Sequence, residues 1–66
     1  MKVKINGKEK QLDDGLTVKQ LLKQLNIPFE TVVVELNGDI IYKEEYEKVI
    51  LKDNDKVEIV RFVGGG

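Results

Sequence analysis

Neither cysteine nor histidine occurs in this 66-residue chain, so its fold has no disulfide framework and no soft metal site to lean on. Domains of this size lie near the lower limit at which one core suffices, and apolar burial must do the work that cross-links often share. A second domain has no room. Hydrophobic residues make up 41% of the chain, most of them Val, Ile and Leu, which excludes a disordered polymer and suits a compact sheet packed on a helix.

Reactive side chains are equally restricted. With no His, Cys or Ser, and with Thr17 and Thr31 as the only aliphatic hydroxyls, nucleophile-plus-base catalysis lacks its usual groups. Asp13-Asp14 and Asp53-Asp55 are pairs that could act as acid and base or hold Mg²⁺. Each pair adjoins Gly or Asn, where Asp serves turn backbone, and the turn reading is preferred; no bound metal is expected. The 12 acidic and 11 Lys or Arg residues are interspersed and leave a formal charge of -1, so no cationic field favours nucleic acid or anionic lipid. The opening MKVKINGKEK alternates apolar and charged residues instead of carrying a signal-peptide stretch, and no later run approaches spanning length. A cytoplasmic protein, monomeric when free, is expected.

Met1, Val3 and Ile5 share one face of a first strand, Asn6-Gly7 supplies a tight hairpin turn, and a polar edge strand returns through Lys8 to Leu12. Thr17 and Gln20 have capping-box spacing, Leu16 and Leu21 that of a hydrophobic staple. Val18, Leu21, Leu22 and Leu25 then form one helical stripe that Asn26 and Pro28 end. Thr31 to Leu36 is a β-branched run expected as a buried strand, followed by the Asn37-Gly38 turn and a short strand at Ile40 and Ile41. Tyr42 to Lys48 is expected to form an irregular helical turn in which Tyr42 and Tyr46, spaced i, i+4, are packing residues. After the Asp53-Asn54-Asp55 turn, Lys56 to Val63 predicts a last strand with Val57 and Ile59 on one face, Val60 and Phe62 on the other. Apolar residues on both faces mark a central strand or a docking surface, so Val60 and Phe62 read equally as packing and as partner contacts.

One amphipathic helix can cover only one face of such a mixed sheet, which is the α+β, β-grasp (ubiquitin-like) plan. Residues 1–63 would form this domain and 64–66 a flexible C-terminal glycine tail. Several segments carry a resemblance over nearly the whole chain: the strand-Asn-Gly opening, Thr17-Val18 with Leu21-Leu22 and Leu25, Val34 to Ile41, Asp53 to Val60, and the ending Phe62-Val63-Gly64-Gly65-Gly66. In these the chain resembles the thiamine-pathway sulfur carrier family, ThiS. It departs at Asn54, where the family often has Gly, and at Tyr42-Lys43, where members often carry Pro-Arg.

The glycines have a physical use of their own. Without Cβ atoms Gly64, Gly65 and Gly66 can thread a narrow channel, and three extended residues reach about 10 Å. The bland reading is a frayed terminus or a linker, although linkers are more often longer or contain Ser. The resemblance implies a specific chemistry. An E1-like (ThiF-like) adenylyltransferase would use ATP to adenylate the Gly66 carboxylate, and sulfur from a cysteine desulfurase system would convert it to a thiocarboxylate. Thiazole synthase (ThiG-like) would accept the sulfur. It implies no catalytic residue, no intrinsic cofactor and no independent enzyme activity, with Gly66 modified; on the residues' own account Gly64 and Gly65 would thread the channel, and Val60 and Phe62 would dock partners if Ile59 faces the helix. Sulfur carriers for molybdopterin or tRNA thiolation, and a noncovalent β-grasp binding module, are the competing readings.

Overall fold

The computed structural model describes residues 1–62; Val63 and the glycines Gly64, Gly65 and Gly66 lie outside the described residues. Five strands form one mixed sheet: β1 Lys2–Ile5, β2 Lys8–Gln11, β3 Val32–Leu36, β4 Asp39–Ile41 and β5 Lys56–Arg61, with the helix α1 Val18–Gln24 between β2 and β3. The spatial order is β2-β1-β5-β3-β4. β5 is parallel to β1 and antiparallel to β3, so the last strand in sequence lies in the middle of the sheet. This is the ubiquitin-like β-grasp arrangement.

Local chemistry accounts for each element. Asn6 and Asn37 adopt positive φ (51° for both) ahead of Gly7 and Gly38, as two-residue hairpin turns demand. β2 is exposed at every position, and its lysines make a poor template for another strand. Helix α1 opens with both bonds of a capping box: the Gln20 amide donates to Thr17 Oγ1 at 3.2 Å, and the Thr17 amide donates to Gln20 Oε1 at 2.9 Å. It ends where Asn26 turns left-handed at φ 57° just before Pro28.

The helix stripe then buries Val18, Leu21 and Leu22 against Val3, Ile5, Val34 and Val57 of the sheet. Each such side chain contributes about 1.5–3 kcal/mol when fully removed from water. Leu16, Val32, Tyr46 and Leu51 complete the buried cluster.

The strands β2 and β5 end at Gln11 and Arg61, short of the expected Leu12 and Val63, the latter lying outside the described residues, and two further expectations need correction. Thr31 belongs to a 3-10 turn at Phe29–Thr31, and β3 begins one residue later. Tyr42 does not pack: it is exposed, whereas Tyr46 is buried with its ring edge-on to Phe29 at 6.2 Å. The cause is the backbone at Tyr42, which is the extended N-cap (φ -83°, ψ 152°) of the 3-10 turn Lys43–Glu45 and so lies outside the helical geometry that would put positions i and i+4 on one face.

Candidate functional site

The two faces of β5 differ sharply. Val57 and Ile59 point toward the helix and join the core, while Lys56, Glu58, Val60 and Phe62 alternate onto the uncovered face. Val60 and Phe62 are 54% and 57% exposed. Cross-strand register extends this pattern: Val33 stands opposite Val60, and Glu35 opposite Glu58. Lys4 lies beside Lys56 on β1. Along β5 the open face therefore passes from basic, through a pair of carboxylates, to apolar at the end from which the chain leaves the sheet.

The apolar end is broader than Val60 and Phe62. Phe62 borders a shallow groove of about 480 Å³ together with Val33, Ile40, Tyr42 and Phe29. Ile40 and Tyr42 were not singled out as surface residues from sequence. Their signal was the pairing of Ile40 with Glu35, which turns Ile40 outward, and no propensity rule states that pairing in advance.

Backbone and side-chain bonds hold β5 where it is. The Phe62 amide donates to the Thr31 carbonyl at 2.8 Å, extending the β3 ladder one residue past the strand. Asn6 does more than turn a hairpin: its Oδ1 accepts from the Ile59 amide at 2.7 Å and its Nδ2 donates to the Ile59 carbonyl at 3.1 Å. Asn37 acts likewise at the other end, accepting from the Lys56 amide and donating to Asp55 Oδ1, both at 2.9 Å. Both Asn-Gly sequences thus brace the tail-bearing strand, a role that the turn signal does not disclose.

Asp53 and Asp55 serve the fold. Asp53 Oδ1 accepts from the Lys2 amide and Asp55 Oδ2 from the Lys52 amide, each at 2.7 Å. Asp14 lies 3.3 Å from the N-terminal ammonium. Among the described residues no three His, Cys, Asp or Glu side chains cluster as metal ligands. Burial, with help from the negative charge of Glu44, pushes the Tyr46 phenol above its ordinary value of 10.0, which keeps it neutral. The hydrogen bond and charge of Lys19 hold the Glu47 carboxyl below its usual range. No helix among the described residues is long and apolar enough to cross a membrane.

A mixed five-stranded sheet grasping one helix, with its central strand leading to the glycines, defines a small ubiquitin-like protein. The family model that matches is the ThiS family, over residues 3–66, and the chain belongs to that family. It is 45% identical over 65 residues to the sulfur carrier protein ThiS of Bacillus subtilis, covering 97% of this chain and 98% of that protein. The crystal structure of the thiamine biosynthesis protein ThiS of Geobacter metallireducens superposes with a TM-score of 0.87 at 39% identity, covering 100% of both chains. The chain is also 44% identical to a thiazole synthase of Paramagnetospirillum magneticum over 66 residues, which is 100% of this chain and 20% of that enzyme. It thus spans about a fifth of that relative, as it does of the Magnetococcus marinus thiazole synthase, where the share is again 20%.

Proposed function

We propose that this chain is a sulfur carrier of thiamine biosynthesis whose working group is the carboxylate of Gly66. The observation that carries the reading is a match to the ThiS family running through Gly66, on a fold superposable over its full length with a ThiS protein. The chemistry fits the inventory of side chains. A carboxylate is a poor acyl electrophile, so a partner adenylyltransferase must first join it to the α-phosphate of ATP, releasing pyrophosphate. A persulfide formed by the desulfurase then attacks the acyl carbon and displaces AMP, and a thiol reductant cleaves the S–S bond of the resulting acyl disulfide to leave a thiocarboxylate. The carrier supplies no general acid or base to any of these steps and acts as a protein cosubstrate.

Thiazole synthase is the proposed acceptor, supported by the two thiazole synthases that contain a matching segment. In this reading Gly64 and Gly65 thread the partner's channel, and Val60 and Phe62, with Ile40 and Tyr42 beside the groove, dock the domain at its mouth. Genetic complementation separates the acceptor pathways. The gene should restore growth without thiamine to a bacterium lacking its own thiazole sulfur carrier. Rescue of a molybdopterin or tRNA-thiolation defect alone would contradict the assignment.

A further inference from the structure

β5 hydrogen-bonds to opposite sides with alternate residues. Even positions face β3, from Lys56, whose carbonyl accepts from the Asn37 amide, to Phe62, whose amide donates to Thr31. Odd positions face β1. The Asp55 carbonyl accepts from the Lys4 amide at 3.0 Å and the Val57 carbonyl from the Asn6 amide at 2.9 Å. At Ile59 the strand β1 has already ended, and the Asn6 side chain takes its place by bonding both the amide and the carbonyl.

Arg61 is the next odd position, beyond the reach of Asn6. Its amide and carbonyl face the same side with no hydrogen-bond partner among the described residues. The bonds of its neighbours to β3 nevertheless hold it extended, so this short edge is already in the geometry a new strand requires.

We propose that the backbone edge of Arg61 receives an extended segment of the adenylyltransferase, which pairs with it as an added strand and presents an acidic residue opposite the Arg61 side chain. Main-chain bonds supply register in such β-augmentation, and flanking side chains supply specificity; here those flanks are the exposed Val60 and Phe62. The lone guanidinium calls for an acidic segment and disfavours a second copy of this chain, and the adenylyltransferase is the partner that the proposed function requires at the tail. Arg61 is exposed and has no ion pair among the described residues. A second copy paired across the same edge would set guanidinium against guanidinium, which is unfavourable for directly opposed residues. The inference rests on the carrier reading.

The test is amide hydrogen exchange by NMR on the full chain, alone and saturated with a ThiF-like adenylyltransferase. In the free protein the Arg61 amide should exchange rapidly while that of Phe62 is protected. In the complex Arg61 should slow by at least about tenfold. Arg61→Ala and Arg61→Pro both remove the guanidinium, and the proline variant also removes the edge donor at a place where proline is tolerated, so it should weaken binding by about tenfold more than Arg61→Ala with no change in melting. A complex in which the Arg61 amide still exchanges at the free rate would overturn the edge proposal while leaving the carrier reading intact. Protection that rises with protein concentration in the absence of enzyme would overturn it in favour of self-pairing. Failure of the unaltered protein to bind the adenylyltransferase at all would remove both the carrier reading and the inference built on it.

Discussion

The helix-facing and open sides of the sheet use the same residue types for opposite ends. Val3, Val34 and Val57 are fully or almost fully buried beneath α1, whereas Val60 and Phe62, a few residues along the same central strand, are more than half exposed. Composition cannot tell these valines apart; strand parity and the placement of a single helix can. The covered face holds the core of the domain, and the open face leaves Val60 and Phe62 accessible to a partner.

This division can be broken most severely at the tail. Deleting Gly65 and Gly66 should abolish sulfur transfer completely and leave circular dichroism and the melting temperature unchanged, since the buried cluster is built from Val3 to Val57. A large loss of folded signal would assign the glycines to the fold. Leu22→Asp is the converse experiment. It forces an unpaired charge into the centre of the helix–sheet contact and should cost more than about 4 kcal/mol, enough to unfold a domain of this size in chemical denaturation. A soluble, cooperatively melting variant would mean that the faces are wrongly assigned.

Smaller effects sharpen the boundary between the two sides. Asn37→Gly preserves the left-handed turn but removes the side-chain bonds to Lys56 and Asp55, and should lower stability by about 1–2 kcal/mol in urea titration. Phe62→Ala should reduce calorimetric affinity for the adenylyltransferase and thiazole synthase by more than about 1 kcal/mol while barely moving the melting temperature. The smallest effect belongs to Tyr46. Its folded pKa is raised, so its contribution is complete below its unfolded value, near 10, and is lost as pH rises through the folded pKa. Melting curves between about pH 9 and pH 11 should show a steeper decline for the native chain than for Tyr46→Phe.

The helix, its capping box and both Asn-Gly turns were legible in the sequence because each depends on local spacing, whereas apolar residues on both faces of β5 fitted a central strand and a docking surface alike, and only the sheet order resolves the two. The limits were equally physical. The Tyr42 and Tyr46 spacing misled because Tyr42 is the extended N-cap of a short 3-10 turn, and the bracing of Ile59 by Asn6 joins residues 53 positions apart. The exposure of Val60 and Phe62 was left open from sequence, since alternation gives two faces without saying which one the helix covers. Gly66 was legible as a candidate from chemistry and resemblance alone, because no fold contact is needed to read it.

The proposed function requires covalent chemistry at Gly66. Intact mass spectrometry of the protein after incubation with ATP, a ThiF-like adenylyltransferase and a cysteine desulfurase with cysteine tests it directly. Replacement of one carboxylate oxygen by sulfur should add about 16 Da, localised by fragmentation to the last residue. An unchanged mass, under conditions in which the same enzymes convert the Bacillus subtilis carrier, would contradict the proposed function.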